Sequence, residues 1–418
     1  MMNIYTIVIL STLIFGYLLD LIANFLNLRA LQFDLPEEFK DTYDKDAYRK
    51  SQEYTKTSTY FSLFTSTVML GIILIFWFLG GFNYLDQIVR GWDLNLILTG
   101  LAYIGTLLLL NAILSLPFSV YSTFVIEEKF GFNKTTPITF VTDILKGLAL
   151  SIVLGGVLLA GVLAFFHYAG DYAWFYCWIA TTIFILFVQF IAPIWIMPLF
   201  NKFTPLQEGE LKNKIMAYAQ SVSFALKDIF VVDGSRRSKK SNAFFTGFGK
   251  NKRIALFDTL IKEHTVLELE AVLAHEIGHY KKKHILKGMI ITILHMGFMF
   301  FLLSLFLYNK RLFDTFYMTT PSIYAGLIFF GLLYTPIELI LSILMQIFSR
   351  KNEYEADCFA AKTIANPEEM IKALKKLSVH NLSNLTPHPF YVFLNYSHPP
   401  VLERIRVIKK YPKVTKVD

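Results

Sequence analysis

The chain has 418 residues, of which 54% are hydrophobic and only 17% charged, and its mean hydropathy is +0.47. Those values exclude an ordinary soluble domain and indicate a membrane protein. The net charge of +8 does not indicate nucleic acid, since no basic soluble face with reading elements is present; the two cysteines, Cys177 and Cys358, are too few for a disulfide framework and leave any metal to histidine and carboxylate ligands.

Seven apolar stretches are long enough to cross a bilayer, which takes about 20 helical residues. They are 4–26, 60–82, 96–120, 148–167, 174–197, 289–308 and 323–348. The first lacks a basic leading region and a small-residue cleavage site, so it reads as a helix and not as a removed signal peptide. The basic residues test the count independently, because cytoplasmic segments carry the Lys and Arg excess. In chain order the eight segments around the spans hold 0, 6, 1, 3, 0, 16, 2 and 12 of them, so that alternate segments hold 37 of the 40. A missed or extra helix would scramble that alternation. The expectation is seven spans, with the amino terminus outside and the carboxyl terminus in the cytoplasm. Residues 1–197 then carry spans one to five, 198–288 form a long cytoplasmic loop, 289–348 carry spans six and seven, and 349–418 form a cytoplasmic tail.

Within the long loop, "DIFVVDGS" (228–235) and "KRIALFD" (252–258) read as short strands, and "SNAFFTGFG" (241–249) between them as a turn-rich or edge-strand segment. "TVLELEAVLAHEIGHYKKKH" returns to helical periodicity, with Thr265 as the N-cap and Glu268 three residues later.

That helix carries the most specific chemistry in the chain. Residues four apart share a helix face, so His275 and His279 can offer imidazole nitrogens to one ion. Glu276, turned about 100° away, sits beside the ion, where a base for an attacking water belongs. Zinc lowers the pKa of such a water to about 7 and polarises a carbonyl. The bland alternative is a solvated helix with incidental histidines, although chance supplies only roughly 0.01 such patterns in a chain of this composition.

A catalytic zinc takes three protein ligands, so a third is sought elsewhere. "RKNEYEADCFA" (350–360), directly after span seven, places Glu353 and Asp357 four apart on a helix. Glu353 could complete the set, while Asp357 orients one histidine through its second ring N–H. Taken alone, this stretch reads better as a charged helix start. Topology reverses that balance: His279 lies shortly before span six and Glu353 shortly after span seven, so both flank the same ends of two consecutive antiparallel helices.

With "HEIGH" and "NEYEADCFA", the chain also carries "YSTFVIEEKFGFNKTT" (121–136), "SRRSKKSNAFFTGFG" (235–249) and "YSHPPVLERI" (396–405). In this order and spacing the set resembles the integral-membrane CAAX prenyl endopeptidases, a zinc metalloprotease family that trims three residues from prenylated proteins. The resemblance covers nearly the whole chain. It implies an all-α polytopic fold of seven transmembrane helices around an intramembrane chamber, with a small mixed α/β, gluzincin-like cytoplasmic portion. It further implies one Zn2+ per chain on His275, His279 and Glu353, with Glu276 as general base and Asp357 as the carboxylate behind a ligand. His398 and Arg404 are implied as active-site groups. Chemically, His398 in its Pro-flanked turn could donate to an oxyanion, and Arg404 could bind a substrate carboxylate or hold a structural acid. Asn242 matches the segment that receives the substrate backbone by strand addition; otherwise it is a turn asparagine.

Glu338 and His295 lie at membrane depth, where ionisable groups face a cavity or a partner. His284 and the lysines of "KKKH" are expected to anchor span six in an anionic leaflet, with His284 not a ligand. The sequons at Asn381, Asn384 and Asn395 fall on the cytoplasmic side. The expected activity is a membrane-embedded zinc endopeptidase acting at the cytoplasmic face on a peptide or protein substrate, with carboxyl-terminal segments of prenylated proteins foremost. A membrane quality-control metalloprotease is the rival enzyme, and a non-catalytic binding or transport protein the rival of another class. The partners expected are substrate and bilayer, with no nucleic acid. The tail "YPKVTKVD" carries no retention signal, which favours a bacterial inner membrane over the endoplasmic reticulum.

Overall fold

Three of the long helices start where an apolar stretch starts, capped by Asn3, Asn95 and Ser322, whereas others start earlier because their caps lie in polar sequence. In the computed structural model, which describes residues 3–246 and 252–411, Asp44 accepts hydrogen bonds from the backbone N–H of Asp46 and Ala47, so a helix starts well before the apolar run at residue 60. Likewise Thr136 accepts from Thr139 N–H and Pro137 occupies the first helical position. Five long apolar helices result: α1 (Ile4–Arg29), α2 (Lys45–Phe78), α3 (Leu96–Glu127), α4 (Pro137–Tyr168) and α5 (Gly170–Phe200).

The chain then builds a polar unit from β1 (Phe203–Pro205), α6 (Glu210–Ser221), β2 (Leu226–Val232), β3 (Ala243–Thr246), β4 (Lys252–Phe257) and α7 (Val266–Lys281). Two more long apolar helices follow, α8 (His284–Phe306) and α9 (Ile323–Thr363), and the tail adds α10 (Glu368–His380) and α11 (Val401–Ile408). The seven helices able to cross a membrane fall at the seven expected places. They overrun the apolar stretches because hydropathy marks what lipid touches, whereas backbone hydrogen bonding continues until a cap stops it. The overrun matters most in α9, whose 41 residues span about 60 Å at 1.5 Å per residue and carry Glu353 and Asp357 out of the apolar region on a continuous helix.

The four strands form one mixed sheet in the order β1-β2-β4-β3, with β2 and β4 parallel and the other two pairs antiparallel. β3 is thus an edge strand, as "SNAFFTGFG" suggested; residues 247–249 of that segment lie outside the described residues. β1 and α6 have no counterpart in the sequence reading.

Buried apolar side chains gather in two main cores. One lies among the spans and joins Ile9, Trp77, Tyr103, Leu163, Phe300 and Phe329. The other belongs to the polar unit and contains Ile254, Leu256, Leu269, Leu273, Ile277 and Ile405, together with Phe39 and Tyr43 from the segment between α1 and α2 and Tyr48 from the first turn of α2. The polar unit is therefore assembled from three separated stretches of chain, not only the long loop and the tail. Protein covers little of the spans' apolar surface: the most apolar window of each is only 0–22% buried. Among the spans His295 Nε2 lies 2.9 Å from the Tyr334 hydroxyl and 3.6 Å from Glu338, so the two ionisable groups at membrane depth are neighbours across α8 and α9.

Candidate metal centre

α7 begins with the expected capping box. Thr265 Oγ1 accepts from Glu268 N–H at 3.3 Å, and Glu268 Oε2 accepts from Thr265 N–H at 2.8 Å. Lys376 Nζ on α10 donates to the same carboxylate at 2.8 Å, which ties the start of the helix to the tail. From this fixed start the 3.6-residue repeat brings His275 and His279 to one face, toward the end of α9.

The two helices approach closely at Gly278. A β-carbon there would lie 3.1 Å from both Cα and the carbonyl oxygen of Ala356 and 3.2 Å from Phe359 Cδ1. Glycine lets backbone approach backbone at this separation without displacing a neighbour. The contact brings Glu353, one helical turn before Ala356, to the histidines.

One ligand atom from each of His275, His279 and Glu353 lies within 4.8 Å of the others. The Nε2 atoms of His275 and His279 are 3.1 Å apart, and Glu353 presents Oε2 at 3.4 Å from the first and Oε1 at 3.2 Å from the second. Glu353 is 4% exposed, and its buried Oε2 receives no hydrogen bond. A buried carboxylate oxygen without a donor is costly unless a cation meets it. Two imidazoles and a carboxylate converging on one point form a donor set suited to zinc.

Behind the set, His275 Nδ1 donates to Asp357 Oδ1 at 2.9 Å, and Asp357 is wholly buried. Arg404 on α11 holds Asp357 with a two-point clasp, Nε to Oδ2 at 2.8 Å and Nη2 to Oδ1 at 2.6 Å, with Nη1 3.6 Å from Glu353. Of the two roles that chemistry allows Arg404, the structure shows the hold on an acid. His398 Nε2 lies 3.3 Å from Glu353 Oε1, and its Nδ1 is 2.9 Å from Ser397 Oγ. A hollow of about 470 Å³ opens beside His398 and Arg404.

Burial disfavours charge on His275, but the Asp357 and Glu353 carboxylates outweigh it and push the imidazole up to about 9. Burial raises the Glu276 carboxyl above the usual range, and the neighbouring histidines oppose the shift only in part. For Arg404 burial works against the charge, and Asp357 keeps the guanidinium protonated.

His284 corrects the sequence reading. It is 5% exposed, so it does not reach into a lipid headgroup layer; its Nδ1 lies 3.1 Å from His279 Nδ1 and its Nε2 3.2 Å from Glu355 Oε2. No helical spacing signals this, because five residues on a helix are separated by about 140°. Gly278 was also passed over; its signal is a small residue inside the motif, on the face opposed by Ala356.

Asn242 stands apart from this cluster. Its side chain accepts from Ala243 N–H at 2.9 Å, and its carbonyl accepts from Phe257 N–H at 3.1 Å, which starts edge strand β3. β3 is held beside α7 by Phe245, whose ring lies 5.8 Å from that of Tyr280. The segments 121–136 and 235–246 are joined to each other, Lys239 N–H donating to Phe132 O at 3.0 Å and Lys240 pairing with Glu127 at 3.1 Å, and Arg237 clasps Asp143 of α4 at 2.7 and 2.9 Å. They dock the spans onto the sheet that flanks the metal cluster.

Residues 24–202 match the family described as CAAX prenyl protease N-terminal, five membrane helices, and residues 205–412 match peptidase family M48. The chain is similar to CAAX prenyl protease 1 of Saccharomyces cerevisiae, 36% identical over 90% of this chain and 88% of that one. It is 37% identical to the Arabidopsis thaliana CAAX prenyl protease 1 homolog, over 97% and 98% of the two chains, and 34% identical to the Homo sapiens homolog, over 90% and 88%. The crystal structure of S. mikatae Ste24p has a TM-score of 0.92 to this fold at 33% identity, covering 98% of this chain and 100% of that one.

Proposed function

Because the chain belongs to peptidase family M48 and, within it, to the CAAX prenyl proteases, we propose that it removes carboxyl-terminal segments from prenylated proteins at the membrane surface. It is an integral-membrane metalloendopeptidase, which sets aside the transport reading. The convergence of His275, His279 and Glu353 from α7 and α9 is the observation that carries the site assignment.

His275, His279 and Glu353 would hold one zinc ion per chain. When bound, zinc lowers the pKa of a water to about 7 and polarises the scissile carbonyl. Glu276 takes the proton of the attacking water and passes it to the leaving amine; among the described residues its carboxylate has no hydrogen-bond donor competing for it. Asp357 fixes the tautomer and angle of His275, and Arg404 keeps Asp357 ionised and in place. His398, in its Pro-flanked turn beside Glu353, donates to the oxyanion of the tetrahedral intermediate. The substrate backbone adds alongside β3, with Asn242 at the start of that edge. The Lys and Arg excess favours a cytoplasmic position for this face, and an intramembrane chamber among the spans would admit the lipid chain.

The test compares purified protein acting on a farnesylated CAAX peptide and on its unprenylated copy. Faster release of the terminal tripeptide from the lipidated peptide is expected, and equal cleavage of both would overturn lipid recognition. Glu276→Gln should retain zinc while losing about 10²- to 10⁴-fold in turnover. A variant that kept full activity would remove Glu276 from its role.

A further inference from the structure

The two histidines of the metal cluster are backed differently. His275 rests on the buried, Arg-clasped Asp357, whereas His279 rests on another imidazole, that of His284. The backbone makes this possible at a visible cost. α7 ends at Lys281 and α8 begins at His284; between them Lys283 takes φ 59°, ψ 30°, the left-handed region that residues with a β-carbon rarely adopt. This reversal returns His284 to the side of the ring it follows by five residues.

The proton positions then follow in one direction. His279 presents Nε2 toward His275 Nε2 and Glu353 Oε1. A ring that uses the Nε2 lone pair must carry its proton on Nδ1. Two Nδ1 atoms 3.1 Å apart can share only one hydrogen, so His284 Nδ1 accepts and the proton of His284 sits on Nε2, 3.2 Å from Glu355 Oε2. Glu355 is the terminal acceptor, partly exposed at the far end of the relay. His284 is not itself a ligand, because the nitrogen it turns toward the site faces His279 Nδ1, the edge away from the other ligand atoms.

We propose that His284, backed by Glu355, is a positioning residue for His279: by accepting the Nδ1 proton it fixes the tautomer and ring angle that present Nε2 to the cation. The inference rests on the metal-site reading, and the experiment separates the two. Zinc is titrated into full-length, metal-stripped protein in detergent micelles against a competing chromophoric chelator, and the visible spectrum of the cobalt-loaded protein reports ligand geometry. His284→Leu, similar in bulk but without an acceptor, should bind zinc about 10- to 100-fold more weakly, and its cobalt bands should shift. His284→Asn, whose Oδ1 can stand near the position of Nδ1, should recover affinity to within a few-fold. Glu355→Ala, at a partly exposed position, should show a several-fold loss and keeps the test alive if His284→Leu does not fold.

Unchanged affinity in His284→Leu or Glu355→Ala would overturn the inference. So would an equal loss in His284→Asn and His284→Leu, since that is the signature of packing alone. His275→Ala serves as the control. If it binds zinc as tightly as the unmodified protein, the metal-site reading itself falls and takes this inference with it; if it binds weakly while His284→Leu does not, only the inference falls.

Discussion

Gly278→Ala tests whether the metal set depends on the close approach of α7 to α9. The new β-carbon would lie 3.1 Å from two backbone atoms of Ala356 and 3.2 Å from Phe359 Cδ1. Relaxed contacts between such atoms lie near 3.5–4.0 Å, so the helices must separate by roughly 0.5 Å. The phenyl ring can yield, but the backbone of a continuous helix cannot. Metal–ligand distances tolerate only about ±0.2 Å, and Glu353 stands on one helix while both histidines stand on the other. Overpacking costs about 1–3 kcal/mol, whereas replacing a mid-helix glycine by alanine returns about 1 kcal/mol, leaving a net of about 0–2 kcal/mol in overall stability. The signature is therefore a dissociation: zinc affinity falls by about tenfold or more while the metal-free protein unfolds only a few degrees lower. Chelator competition and thermal unfolding of the stripped protein measure the two quantities. Unchanged zinc affinity and unchanged peptide cleavage would refute the reasoning, because the helix contact would then not set the ligand geometry.

Arg404→Ala leaves the wholly buried Asp357 without its clasp and should cost about 3–5 kcal/mol in denaturant unfolding; a loss below about 1 kcal/mol would mean that the pair is not what stabilises the acid. Arg404→Lys keeps the charge but not the two-point geometry, and should fall between that variant and the unmodified protein. Zinc affinity should rise with pH between about 6 and 9, because His275, pushed up to about 9, must give up its proton before Nε2 can bind; chelator titrations showing no pH dependence would contradict this.

The spans, the strands 226–232 and 252–257 and the capping box were legible because each is written in local pattern: apolar length, alternation, and a Thr–Glu pair three apart. The gathering of His275, His279 and Glu353 could be anticipated from topology, since two consecutive antiparallel spans return the chain to one side. The remainder was hidden for physical reasons. His284 reaches His279 through a left-handed residue, and no sequence rule places a lysine there. Phe39, Tyr43 and Tyr48 enter the core of the polar unit from a stretch that reads as an ordinary connecting segment. Gly278 is informative only once its neighbour across the helix contact is known.

The charges at the cluster explain why a cation belongs there. Glu276, Glu353 and Asp357 bring three carboxylates to one buried region, and among the described residues Arg404 is the fixed cation that answers them. A structural ion-pair cluster would be balanced by fixed side chains, because buried net charge is expensive. Here the balance falls short by two, and the local proton affinities respond: burial raises the Glu276 carboxyl, and the carboxylates around His275 push its imidazole up. His275 holds a proton that a divalent cation must displace from the ring, so loading the site releases it and the affinity depends on pH. Arg404 is what keeps this exchange confined. By neutralising Asp357 permanently it leaves Glu353 to the cation and Glu276 to the water, so each carboxylate has a different counter-charge and the three do not compete for one.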